Sequence, residues 1–215
     1  MSHRIARDVV CICMCLAAVI LSCRSSHPSN KVLLIPRTGS VPWTDFMLTR
    51  ELGVMKQMLE KEGFEVTVAT LTGEPIVGKT KSLKPDRKLT EINLDDYIGV
   101  ILPCMAVGNP GPIVPEVVDL VKRAFSQGKP VAAQFNAVIT LAKAGVLAGK
   151  KYAYANEPPK YDEGFKDGTY AGSGVVQDGI IITSGVCPWT AKSSDAPDGT
   201  PKLTEMFIAE LKRHR

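Results

Sequence analysis

Two thiols and one carboxylate have the types and positions that chemistry could use. Cys104 follows the apolar run 97–102 (YIGVIL) and a proline, and Cys187 comes shortly after the run 180–183 (IIIT). Both places are the ends of expected strands. Two buried residues filling space, a disulfide between them and a reactive thiol are all readings of that placement. Glu51 shares the helical stripe of Leu48, Leu52, Met55 and Leu59, so it points toward the interior. A carboxylate there must find donors or take up a proton, because burying it unpaired is costly. A Cys–His hydrolase would need an imidazole nearby, but the three histidines are His3, His27 and His214, all close to the ends. Two Cys and one Glu without a His make a poor metal set, so no metal and no cofactor is expected. Trp43 and Trp189 fall in the same kind of loop, as packing or as flat faces for a sugar or heterocycle.

These residues must be positioned by elements that alternate along the chain. Residues 31–36 (KVLLIP), 65–70, 97–102 and 131–133 read as buried strands, with helices expected over 44–62, 114–126, 138–144 and 202–213. Gly63 is a plausible helix stop. The polar stretch 71–95, with Gly73, Pro75, Gly78 and Pro85, is expected to hold a short hairpin or an irregular excursion. Asp178-Gly179 reads as a tight turn between 175–176 and 180–183. Strands alternating with helices imply an α/β fold with a mostly parallel sheet covered on both faces. In such sheets ligands bind beyond the carboxyl ends of the strands, which selects 37–43, 103–111, 134–137 and 184–189. The pocket candidates at those ends are Cys104, Met105, Gln134, Phe135, Asn136, Cys187 and Trp189, and Glu51 joins them from the stripe of the first helix unless it sits at a solvated margin.

Three stretches, DDYIGVILP (95–103), GKPVAA (128–133) continuing to LAKAGVLAGKK (141–151), and DGIIITS (178–184), resemble the ThiJ/PfpI family in order and spacing. That family belongs with the class I glutamine amidotransferase-like folds and includes the Parkinson-disease protein deglycase. The resemblance implies a flavodoxin-like three-layer sandwich, often dimeric. It also implies a Cys on a sharp strand-to-helix turn and a pocket glutamate that hydrogen-bonds it. The matching turn here is Ala133-Gln134-Phe135-Asn136-Ala137, with Phe135 at the nucleophile position and Asn136 where the family often has His. Cys104-Met105 replaces the usual Gly-Gly, and 152–159 lacks the family's further His. Glu51 matches the pocket glutamate. With no thiol to present at 135, the turn is expected either to relax, with the ring packing into the core, or to persist with the ring in the substrate volume.

The amino-terminal residues form a separate pattern. Arg4 and Arg7 precede the apolar run 9–21, too short for a comfortable span, and Ile20-Leu21-Ser22-Cys23 resembles a bacterial lipobox. Residues 1–22 are thus expected to be a signal peptide, 23–30 a lipidated Cys23 with a polar tether, and 31–215 the domain. An uncleaved anchor and simple secretion are the alternatives. Cys11, Cys13 and Cys15 would leave with the leader, which leaves Cys104 and Cys187 in an oxidising compartment. The expected location is a bacterial cell envelope, anchored by lipid and facing the periplasm or the exterior. The net charge of +4 comes from scattered basic residues, not from a run interleaved with aromatics, so nucleic-acid binding is not expected. The functional expectation is a domain without the family's thiol chemistry that binds a small molecule or an envelope protein, with a homodimer among the expected assemblies. The rivals are a hydrolase, amidase or glyoxalase-like enzyme using Cys104 or Glu51, and a structural envelope subunit.

Overall fold

A computed structural model describes residues 29–37, 43–104, 114–156 and 163–214. The expected leader, Cys23 and Met105 lie outside them. Seven strands form the central sheet: β1 (Lys31–Leu34), β2 (Glu65–Thr70), β5 (Arg87–Lys88), β6 (Gly99–Leu102), β7 (Val131–Gln134), β10 (Val175–Asp178) and β11 (Ile181–Ser184). Their order is β10-β11-β7-β6-β1-β2-β5, and every pair is parallel except the edge pair β10–β11. Two small pairs stand apart: the hairpin β3 (Ile76–Val77) with β4 (Ser82–Leu83), and β8 (Lys151–Tyr152) with β9 (Thr169–Tyr170).

Alternation along the strands divides the core into two. Val32 and Leu34 of β1 pack with Met55, Leu59, Leu203 and Phe207, which belong to α2 (Gly53–Lys61) and α6 (Thr200–Arg213). Leu33 points the other way, toward Leu120, Val121 and Leu141 of α3 (Pro115–Ser126) and α4 (Val138–Lys143). The inner strands β1, β6, β7 and β11 therefore bury both of their faces, which explains why they are largely apolar runs. The result is the expected three-layer, flavodoxin-like sandwich.

The first helix has more structure than its periodicity foretells. It begins as α1 (Thr44–Met47), widens to a π turn over Leu48–Leu52, and continues as α2. The π turn closes with the Gly53 N–H donating to the Leu48 carbonyl, and a Cβ on Gly53 would sit 2.9 Å from that oxygen. Glycine is what lets the backbone widen there. At the far end Gly63 takes φ +82°, and the N–H groups of Gly63 and Phe64 cap the carbonyls of Glu60 and Leu59 at 3.0 and 3.1 Å. This is the expected stop, built as a Schellman cap with Phe64 buried beneath it.

Two expectations shift by a residue or two. In the β10–β11 hairpin Asp178 pairs with Ile181, so the turn residues are Gly179 and Ile180, not Asp178 and Gly179. The Asp178 carboxylate accepts from the Lys151 N–H at 2.9 Å and from Lys150 Nζ at 3.3 Å, which holds Asp178 in the ladder. The strand expected at 97–102 begins at Gly99, because the segment before it is a 3-10 turn over Leu94–Asp96.

Candidate functional site

The carboxyl ends of β6, β7 and β11 lie side by side, and the π turn brings a fourth element over them. Glu51, on the inward face of that turn, is fully buried, as the helical stripe predicts. Its Oε1 accepts the Cys104 backbone N–H at 2.9 Å. The carboxylate thus ties the first helix to the residue that follows β6, across 53 positions of sequence.

β7 ends at Gln134, and the next residue departs from ordinary backbone geometry. Phe135 has φ +48°, the one positive φ at a non-glycine residue among those described. It opens a 3-10 turn over Phe135–Ala137 that runs directly into α4. Of the two expectations for this turn, the sharp elbow persists. Its ring is half-buried, packs against the core cluster that contains Cys104 and Cys187, and lies 6.2 Å from the Tyr154 ring at an interplanar angle of 22°. The backbone of Asn136, the next residue, faces Cys104 and weakly favours its ionised form. Gln134, a pocket candidate by position, is buried and used internally. Its Nε2 donates to the Val186 carbonyl at 2.9 Å, and its amide shares a hydrogen bond with Thr200 Oγ1. It fastens the loop after β11 to the start of α6.

The two thiols are neighbours, although β7 runs between their strands. Each thiol perturbs the other's titration. Neither is in a disulfide. Burial, the neighbouring Cys187 and the nearby Glu51 carboxylate push the Cys104 thiol well above its ordinary value. Cys187 moves the other way. Cys104, the Thr190 N–H and hydroxyl, and the Trp189 N–H bring its thiol down to about 6, against the opposing effect of burial. Thr190 Oγ1 lies 3.6 Å from Cys187 Sγ and accepts the Cys187 N–H at 3.0 Å. Cys187 is the N-cap of the short helix α5 (Pro188–Ala191), with proline at the first helical position. The tetrapeptide Cys187-Pro188-Trp189-Thr190 carries this cap in its order of residues, although a single turn is too short to show in the helical period.

Trp43 and Trp189 stack on each other, with centroids 4.7 Å apart and planes at 22°. Phe46 meets Trp189 edge-on at 6.2 Å, and Lys192 Nζ lies 3.7 Å above the Phe46 ring. Two indoles that were candidates for ligand stacking thus face one another, as loop packing does. Among the described residues no group of three or more His, Cys, Asp or Glu is arranged to hold a metal ion.

The fold has known counterparts. The DJ-1/PfpI family matches residues 41–191. An uncharacterised protein of Methanocaldococcus jannaschii is 30% identical over 168 residues, which is 75% of this chain and 77% of that protein. The deglycase PfpI of Pyrococcus furiosus is 33% identical over 94 residues, covering 43% of this chain and 57% of the deglycase. Among solved structures, a ThiJ/PfpI domain protein from Brachyspira murdochii superposes with a TM-score of 0.63 at 14% identity, covering 86% of this chain and 98% of that one. DJ-1beta of Drosophila melanogaster superposes with a TM-score of 0.57 at 25% identity over 86% of this chain and 95% of its own. By its match over residues 41–191, this chain belongs to the DJ-1/PfpI family.

Proposed function

We propose that the chain is an exported, lipid-anchored member of this family. In this reading it binds a small molecule or an envelope protein at the strand ends and does not run the family's elbow-thiol chemistry. The observation that carries the reading is Phe135. A bulky residue at φ +48° pays a conformational cost of order 1–3 kcal/mol. An enzyme recovers that cost by presenting a nucleophile, and a phenyl ring has none. The pattern of histidines supports the same reading, since the sequence between His27 and His214 contains none to act as a base. Cys104 is a poor substitute nucleophile, because its thiol is buried and pushed toward the neutral form. Export and anchoring rest on the lipobox-like run that ends at Cys23.

Deglycase activity, for which the Pyrococcus furiosus relative is named, is the competing reading. The test is to assay the wild-type protein on amide, ester and glyoxal-type substrates beside Glu51→Gln and Cys104→Ser. The expected result is no turnover by any of the three and, in native mass spectrometry, a retained small ligand. Wild-type turnover that either substitution abolishes would make the protein an enzyme. For the anchor, Cys23→Ala should release the protein from the membrane fraction, and unchanged membrane association and chain mass would sink that part of the proposal.

A further inference from the structure

Away from the strand ends, the β3–β4 hairpin and the outward side of the first helix enclose a cleft of about 460 Å³. That volume falls within the range of about 300–1,000 Å³ usual for small-molecule sites. Leu48 of the π turn, Val54 of α2 and Leu83 of β4 supply its apolar lining. Leu48 is buried and the other two are half-buried, whereas Gln57, Lys81 and Ser82 at the rim are exposed, so the apolar side chains lie deepest. The hairpin wall is held firmly. Gly78 N–H donates to the Lys81 carbonyl at 2.8 Å, which closes the hairpin turn. The Asp45 carboxylate takes the Thr80 hydroxyl and the N–H groups of Thr80 and Lys81, which fastens the turn to the start of α1. The approach is so close that a Cβ on Gly78 would meet Asp45 Oδ1 at 1.8 Å. The cleft is thus formed before any ligand arrives.

Its charge selects what can enter. The segment 79–84 (KTKSLK) carries three lysines and no acid. Among the described residues no carboxylate pairs with any of these three ammonium groups, and the Gln57 amide and Ser82 hydroxyl bond to no protein group. Asp45, the carboxylate at the base of the hairpin, is already engaged by the hairpin's own donors. We propose that this cleft is a second ligand site, for a small carboxylate that carries an apolar chain. The chain covers Leu48, Val54 and Leu83, and the carboxylate accepts from Lys81, Gln57 and Ser82 at the rim. A bare anion leaves the apolar lining in water, an alcohol leaves the lysine charge unmatched, and an organic cation meets three lysines. The site is separate from the strand ends: Thr49 and Gly53 of the first helix border the cleft, while Glu51 between them turns inward to Cys104. Failure of this proposal therefore leaves the strand-end reading untouched.

The experiment titrates the folded, nitrogen-15-labelled full chain with sodium hexanoate at constant ionic strength and follows the backbone amide resonances. Saturable shifts are expected at Thr49, Gly53, Val54, Ser82 and Leu83, with residues 134–137 unmoved. Butanoate should bind more weakly, by roughly two- to fourfold for each carbon removed. Hexanol should bind more weakly than hexanoate, and inorganic phosphate and hexylammonium should give no saturable shift. Lys81→Met keeps the backbone bond to Asp45 and should weaken hexanoate about fivefold. Val54→Asp, at a half-buried helix position, should abolish the shifts while the rest of the spectrum stays that of the folded chain. Hexanol or phosphate binding as tightly as hexanoate would overturn the assignment of the ligand class. No saturable shift, or shifts confined to the strand ends, would overturn the site. A concentration-dependent dimer that covers the same amides and excludes hexanoate would give the cleft to a second copy of the chain and overturn it as well.

Discussion

The residues after β7 and after β11 occupy neighbouring strand ends, yet they divide between them what a thiol enzyme would combine. Phe135 has the strained backbone, at φ +48°, and no reactive atom. Cys187 has the reactive atom on an extended backbone, at φ −99° and ψ 170°, with its pKa brought to about 6. Strain and reactivity are separable in this fold because different parts supply them. The sharp turn comes from running a parallel strand directly into a helix. The lowered thiol comes from donors that any adjacent loop can provide. Cys104 stands between the two regions, its titration influenced by Cys187 and, more weakly, by Asn136 on the elbow side.

The largest effect should come from removing what holds Cys104 in that joint position. Glu51→Ala removes the carboxylate that accepts the buried Cys104 N–H and is expected to cost about 2–3 kcal/mol in denaturant unfolding. Glu51→Gln keeps an acceptor and should lose much less. Equal losses for the two would mean that charge, and not the hydrogen bond, ties the regions together.

The next effect concerns the reactive side of the comparison. Cys187 titrates near 6 under the influence of Cys104, Thr190 and Trp189, and the Glu51 carboxylate acts on the Cys104 side. Its thiolate is therefore present at neutral pH, and the rate of thiol loss to peroxide should be level there. Below about 6 the rate should fall roughly tenfold per pH unit. A rate still climbing through the ordinary thiol value of 9.0 would place the reaction on a thiol without this stabilisation.

The strained side gives a smaller and more pointed signal. Phe135→Gly and Phe135→Ala both lose the ring's packing, but only glycine adopts φ +48° without penalty. The glycine variant should be the more stable of the two by about 1 kcal/mol, read from their unfolding midpoints. If alanine proves equal or better, the elbow has relaxed in solution and the contrast with Cys187 disappears.

The smallest effect belongs to a carboxylate outside both regions. Asp45, at the start of α1, accepts the Thr80 hydroxyl at 2.6 Å and the N–H groups of Thr80 and Lys81 at 2.7 and 3.0 Å, pinning the β3–β4 hairpin. The Thr80 hydroxyl and these N–H groups lower its pKa below 3.8, so the contact is complete above that value and is lost as pH falls through the lowered one. Asp45→Ala should speed amide exchange at Thr80 and Lys81 and leave the reactivity of Cys187 unchanged. A change in that reactivity would extend the thiol site to the hairpin.

Some of this was legible in the sequence alone. The buried strands, the amphipathic first helix with Glu51 on its inner face and the stop at Gly63 follow from local rules of period and backbone freedom, which act over a few residues. The run of stretches from 95 to 184 carried the family and with it the fold. Other features needed the tertiary structure because they join distant positions. The bond from Cys104 to Glu51 spans 53 residues, and the pairing of Cys104 with Cys187 depends on the strand order β11-β7-β6. The direction in which each thiol titrates depends on which N–H groups the folded loops present. The π turn was hidden too, since Gly53 allows it but nothing in the helical period demands it. The sequence by itself determined which side chains are available for chemistry. Only the packing of four separate segments decided which sulfur is held as an anion, because the electrostatics of a buried group are set by neighbours in space and not by neighbours along the chain.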